Sequence, residues 1–260
     1  MDRSQIAFIA GSCALVLLLF FGFDRTPSEQ KLVEKSRALS FESADWTAIL
    51  REDRESLSES ELAYIRTLEN IVDNTVVDSQ RIETLKQLSG AWFERGRYAS
   101  AGHQAEKVAE LEQTESAWAI AGATYAYALS ASFDDRVKDA CLAKAETCFQ
   151  NALSLNPDNL EHRINLAICY AEHPPADNPM KGIQTLLRLN EEHPRNTSVM
   201  FHLARFGIRT GQYDRAIARL QTALQINPDE RRLHCLLATA YRETGRTAEA
   251  KTHQELCSKE

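Results

Sequence analysis

Histidines, cysteines and one pair of adjacent carboxylates are the residues of this sequence whose types could do chemistry. The histidines are His103, His162, His173, His193, His202, His234 and His253. No two stand three or four apart on one helix, the spacing that would turn both imidazoles toward one metal ion. Surface or groove-lining positions are expected for them. The cysteines are Cys13, Cys141, Cys148, Cys169, Cys235 and Cys257, with no C-x-x-C pair and no zinc-like spacing. Cys141 and Cys148 lie two helical turns apart, about 10 Å along an axis, beyond disulfide reach. All six are expected to be small buried side chains. Asp134 and Asp135 would point about 100° apart on a helix, which suits capping better than acid–base work. Phosphate loops, G-x-G-x-x-G, H-E-x-x-H and G-x-S-x-G are absent from the sequence. The expectation is a chain with no cofactor, no metal and no catalytic site.

Composition narrows the class. Only 10 glycines and 7 prolines in 260 residues favour a helix-rich architecture. A net charge of −7 excludes a general nucleic-acid binder, which needs an excess of lysine and arginine over its phosphate contacts.

The segment from Ile6 to Phe23, IAFIAGSCALVLLLFFGF, carries no charge. At about 1.5 Å per residue it spans roughly 27 Å, enough for a bilayer core. The apolar run is long for a cleaved signal, and it continues past Cys13, where a lipoprotein site would end it. An uncleaved single-pass anchor is expected over 6–23, after a short tail at 1–5. Orientation stays open between two arguments. Arg25, Lys31, Lys35 and Arg37 beyond the anchor favour a cytoplasmic C-terminal part. Asp24, Glu29 and Glu34 dilute those charges, and a short tail before a large domain behaves as an export signal. The periplasmic side is the reading adopted, with the cytoplasmic side as its alternative.

The chain beyond the anchor must position any binding surface. Residues 24–43, with Pro27 and mixed charge, read as a linker or stalk. Residues 44–76 carry apolar positions at helical spacing, with Ser58 and Glu61 as a capping box, and read as a helical N-terminal cap. From 79 to 260 one pattern recurs, with units starting near 82, 115, 160, 197 and 231. In residues 199–228 the small Ala204, Ala216 and Ala223 sit where two antiparallel helices would touch. Gly211 stands where a helix C-cap belongs, and Pro228 prevents further helix. In WAIAGATY, 118–125, the stripe Trp118, Ala121, Gly122 and Tyr125 sets large side chains beside small ones, so that a partner helix can approach.

These units resemble the tetratricopeptide repeat (TPR), a helix pair of about 34 residues that opens W-x-x-L-G-x-x-Y and ends on proline. Trp118, Gly122 and Tyr125 match that opening, and Ala145, Phe149, Ala152 and Pro157 complete the unit. The resemblance implies an all-α, right-handed solenoid of antiparallel helix pairs, here behind one N-terminal transmembrane helix, as in anchored TPR proteins of the bacterial envelope. It extends to membrane-anchored TPR subunits of cytochrome c maturation, which hold apocytochrome tails.

Two units depart from the template. Tyr125 and Ala145 stand twenty apart, where the repeat spaces its counterparts by about nine. Longer helices absorb such an excess, and Ser132 with Asp135 is expected to cap a helix running to about Leu155. In HPPADNPMKG, 173–182, Asn178 and Pro179 suit an N-cap and a first helical position, while Gly182 takes the small position at a helix crossing.

In the repeat, set positions of each first helix face a concave groove. Reading those positions here gives an apolar middle of Phe93, Tyr127, Ile164 and Ile168. A basic end comes next, with Arg205 and Arg209 beside Phe201 and Ile208, then Arg232 and Arg242. Only Asn165 suits the Lys/Asn carboxylate clamp of some TPR adaptors, so that specificity is not implied. Paired arginine donors beside an apolar floor favour an acidic peptide with bulky side chains. The function expected is a scaffold binding a protein or peptide partner. A homo-oligomer joined through the anchor or the second repeat, and an enzyme with an unrecognised site, are its alternatives.

Overall fold

The computed structural model describes residues 46–258, and all regular secondary structure among them is helical. The expected anchor at 6–23 and most of the linker lie outside the described residues. No helix among the described residues is long and apolar enough to cross a membrane. The chain divides into units 1–48 and 49–260, and the second is described here.

Helix α1 covers 46–55. It is followed by α2 (Glu59–Asn74), α3 (Asp78–Glu94), α4 (Tyr98–Glu112), α5 (Glu115–Ala131), α6 (Asp135–Leu155) and α7 (Leu160–Glu172). Helices α8 (Lys181–Glu192), α9 (Thr197–Arg209), α10 (Tyr213–Ile226), α11 (Arg231–Glu243) and α12 (Thr247–Cys257) complete the array. From α2 onward each helix packs on the next, and the first helices α5, α7, α9 and α11 also touch one another in succession, forming one layer. The second helices α4, α6, α8, α10 and α12 stand behind it.

Local chemistry sets the breaks. Ser58 caps α2 in a complete capping box with Glu61. Asn159 and Asn196 cap α7 and α9 through their side-chain oxygens. Gly96, Gly211 and Gly245 end α3, α9 and α11 at φ of 71, 76 and 74°, a region that a Cβ makes unfavourable.

Small residues face large ones where helices cross. A Cβ on Gly122 of α5 would meet the Phe149 ring of α6 at 3.0 Å, and one on Gly102 of α4 would meet the Tyr125 ring at 2.6 Å. At Gly182 of α8 a Cβ would lie 2.4 Å from the Ala171 amide nitrogen of α7. The approach there is backbone to backbone. Trp92, Tyr125, Phe149, Leu186, Leu220 and Leu237 fill the spaces between crossings and are fully buried. Each such side chain contributes about 1.5–3 kcal/mol from apolar burial.

The two irregular units differ in detail from expectation. Helices α5 and α6 have 17 and 21 residues and absorb the extra length. The cap of α6 is Asp134, not Ser132: its carboxylate accepts from the Arg136 amide at 2.9 Å. Ser132 instead accepts from the Asp134 amide, closing the turn one step earlier. Asn178 and Pro179 do not open α8. The Asn178 carbonyl accepts from the Lys181 amide in a turn, and Met180 holds the N-cap position without a side-chain bond.

Cysteine roles divide. Cys141, Cys148 and Cys169 are buried, and burial pushes each thiol up to about 12, so they stay protonated and unreactive. Cys235 of α11 and Cys257 at the end of α12 form a disulfide. The expectation of six plain buried thiols is corrected there: the turn between α11 and α12 folds back to set residues 22 apart against each other. No spacing rule on one helix reveals that pairing.

Candidate protein-binding face

The layer of first helices presents two chemically distinct surfaces. The N-terminal one is aromatic. Phe93 ends α3, Tyr98 opens α4 and Tyr127 lies on α5, with ring centroids 4.9, 5.2 and 4.6 Å apart. Phe93 is 41% and Tyr127 49% exposed. These rings form an open cluster near helix ends, with two edge contacts and one tilted one, and with ring surface of Phe93 and Tyr127 left to solvent.

The C-terminal surface is charged. Arg205 and Arg209 stand one turn apart on α9, and both reach across to Glu172, the last residue of α7. The Arg205 Nη2 donates to one oxygen at 2.6 Å and the Arg209 Nη1 to the other at 2.5 Å. A second Arg209 nitrogen donates to the Ala171 carbonyl at 2.8 Å, satisfying an acceptor in the last turn of α7. Both guanidinium groups also lie over the Phe206 ring, 4.8 and 4.7 Å from its centre. Arg232 lies over the Phe201 ring at 5.2 Å and pairs with Glu230 at 2.7 Å. His202 sits among these cations. Burial first, then Arg205 and Arg232, lower its pKa to about 4.

Most of the expected groove residues therefore reach the surface, and one does not. Ile168, Phe201 and Ile208 are partly exposed, and Arg209, Arg232 and Arg242 are exposed. Ile164 is fully buried among Ala167, Leu186 and Val199. Its helix α7 leans that position toward α8 rather than the groove, which corrects its assignment. Arg242 donates to Gln254 of α12 at 3.2 Å, away from the Arg205 pair. The ion-pair partner of Arg205 and Arg209 is Glu172. Tyr98 is the groove residue that the position pattern misses, because it belongs to a second helix.

A further polar centre was not legible in the sequence. Glu115, the first residue of α5, accepts from Asn156 at 3.1 Å and Asn159 at 2.6 Å, and faces His162 Nε2 at 2.8 Å. Hydrogen bonds from Asn156, His162 and Asn159 hold its carboxyl below the ordinary range. His162 is buried, against the expectation of a surface or groove position. This centre ties one helix pair to the next. Among the described residues no group of three or more histidine, cysteine or acidic side chains could hold a metal ion.

A family model described as "Tetratricopeptide repeat" matches residues 207–253. That match begins inside α9 and ends inside α12, and the other helix pairs repeat its small–large crossings. No curated protein matches the chain. Among solved structures it is similar to MamA of AMB-1, at 23% identity and TM-score 0.38, over 69% of this chain and 91% of that one. It is similar to a thermophilic TPR protein of Thermus thermophilus, at 18% identity and TM-score 0.49, over 68% and 89%. A third is YrrB, described as a TPR protein with an unusual peptide-binding site, at 15% identity and TM-score 0.38, over 73% and 89%. No site or partner is carried over from them.

Proposed function

We propose that this chain is a non-enzymatic TPR scaffold, anchored in a membrane by residues 6–23, that binds a peptide or helix of a partner protein across its layer of first helices. The observation that carries the reading is the aromatic cluster of Phe93, Tyr98 and Tyr127, in which Phe93 and Tyr127 are exposed. Aromatic rings left open to solvent on one face are costly to hydrate and useful for binding. The Phe201 and Ile208 side chains, half-covered on α9, extend apolar surface along the same layer.

The array is proposed to lie on the oxidising, periplasmic side of the membrane. The Cys235–Cys257 disulfide supports this, because such bonds persist where thiols are not kept reduced.

A photo-crosslinking residue placed at Tyr127, and another at the exposed Thr222 of the second-helix layer, tests the scaffold reading in the native membrane. Crosslinking of a discrete partner from Tyr127 and not from Thr222 supports it. Equal or absent crosslinking from Tyr127 removes it. N-terminal sequencing of the membrane fraction tests the anchor, which a mature start near residue 24 would exclude.

A further inference from the structure

We infer that Glu172 is a resident carboxylate occupying an anion seat built by Arg205 and Arg209, and that the partner is an acidic segment whose own carboxylate takes its place. The inference rests on the scaffold reading above and deepens it.

The seat has the geometry of carboxylate recognition. Two guanidinium groups approach the two oxygens of one carboxylate, at 2.6 and 2.5 Å. Charge-assisted donors in this arrangement hold any carboxylate that reaches them. Their orientation is fixed from outside the pair, by the Phe206 ring beneath both cations and by the Ala171 carbonyl on Arg209. Removing Glu172 therefore leaves the donors aimed at the same place.

Glu172 is poorly suited to staying there. It ends α7, where the helix dipole opposes a negative charge. It bridges to a neighbouring repeat through a flexible side chain, and it faces arginines that are solvent-accessible, Arg205 at 38% and Arg209 at 52%. An incoming carboxylate can reach both without unfolding the array.

Charge at the seat is also uncompensated. Arg205, Arg209 and Arg232 face Glu172 and Glu230, so three positive groups meet two negative ones. Arg205 Nε and His202 Nδ1 are buried without a partner among the described residues. Burial first, then Arg205 and Arg232, lower the pKa of His202 beside the seat to about 4. Phe201, beneath Arg232, and Ile208 supply apolar surface beside the seat. An acidic segment with interspersed bulky side chains complements all of these, whereas a basic one would meet Arg232 first.

The test uses the full chain in detergent and fluorescent peptides of alternating Glu and Phe, Gln and Phe, and Lys and Phe, with anisotropy as the readout. The Glu peptide should bind about tenfold tighter than the Gln peptide, and the Lys peptide should not bind. Glu172→Gln should strengthen binding of the Glu peptide about fivefold by removing the resident charge that competes for the arginines, and Arg209→Gln should abolish the preference for Glu over Gln. Arg232→Gln leaves the Glu172 clamp intact and should weaken the Glu peptide alone. Equal binding of Glu and Gln peptides, or weaker binding in a Glu172→Gln chain of unchanged helicity, overturns the inference. So does a neutral or basic partner crosslinked at Tyr127, an outcome that would leave the scaffold reading standing.

Discussion

The Tyr125 hydroxyl of α5 donates to the Glu106 carboxylate of α4 at 2.6 Å inside the array. Lys144 of α6 reaches the other Glu106 oxygen at 3.1 Å, so one buried carboxylate joins three consecutive helices. The tyrosine of the W-x-x-A-G-x-x-Y stripe thus fills the space above Gly102 and satisfies a charge that burial would otherwise penalise. Burial, then Glu106 itself, push the phenol upward, which keeps its proton in place as a donor.

Tyr125→Phe removes that donor and leaves one oxygen of Glu106 short of a partner. The expected loss is about 1–3 kcal/mol of unfolding free energy, read by urea denaturation of the full chain in detergent. Tyr241 is a comparison at a corresponding signature position, where the hydroxyl accepts from the exposed Gln221 at 2.9 Å. Tyr241→Phe should cost less than about 1 kcal/mol. Equal losses would mean that ring packing, not the buried carboxylate, sets the value of the tyrosine.

Glycines of the array should separate by what surrounds them. A Cβ at Gly182 meets the Ala167 carbonyl oxygen at 2.6 Å and the Ala171 backbone closer still, and backbone cannot rotate away. Gly182→Ala is expected to destabilise by about 1–3 kcal/mol through forced separation of α7 and α8. At Gly90, inside α3, nothing lies within 4 Å of an added Cβ. Gly90→Ala should stabilise by about 1 kcal/mol through helix propensity. Opposite signs in thermal melts are the expected result; a shared sign would refute the crossing geometry at Gly182.

The crossings were readable from sequence because they depend on residue size at fixed helical spacing. Trp118, Gly122, Ala216 and Gly211 each announce a local requirement. Ile164 was misplaced because its exposure depends on the tilt of α7 against α8, which no spacing encodes. Glu115 and Glu172 were missed for a related reason. Each is an ordinary acidic residue at a helix end, and its partners are distant in sequence: Asn156 at the far end of its own repeat and His162 of the next in one case, Arg205 and Arg209 of the next repeat in the other. The Cys235–Cys257 bond likewise needs the fold of the last helix pair before two distant thiols become neighbours.

Acid should weaken the array through two half-buried imidazoles. Burial first, then nearby cations, lower His103 and His202 from 6.5 to about 4: Lys107 and Lys144 act on His103, Arg205 and Arg232 on His202. With the folded pKa depressed, the unfolded chain binds more protons between these values. The stabilisation is whole above pH 6.5 and is lost as pH falls toward 4. Melting temperature should decline across that window, and the decline should flatten in His103→Gln and His202→Gln. A slope unchanged by both substitutions would assign the acid sensitivity to other groups.

The Cys235–Cys257 disulfide should hold the end of the array. Helix α12 buries only Ala250 against its neighbours, so apolar packing gives it little grip on α11. Its remaining ties are polar or peripheral, such as the His234–His253 ring pair with facing Nδ1 atoms at 2.8 Å. Cross-linking residues 22 apart contributes about 3 kcal/mol by restricting the unfolded hairpin. Reduction, or Cys235→Ser with Cys257→Ser, should therefore loosen α12 while α3 to α8 stay closed. Hydrogen exchange by peptide is the measurement, with faster exchange expected in 247–257 and no change around Tyr125. Of the five cysteines in the described residues, alkylation of denatured, unreduced protein should tag Cys141, Cys148 and Cys169, and reductant should add Cys235 and Cys257. Tagging of all five without reductant would show that the bond is not formed in the protein as made, and exchange in α12 that ignores reduction would show that the bond does not hold it.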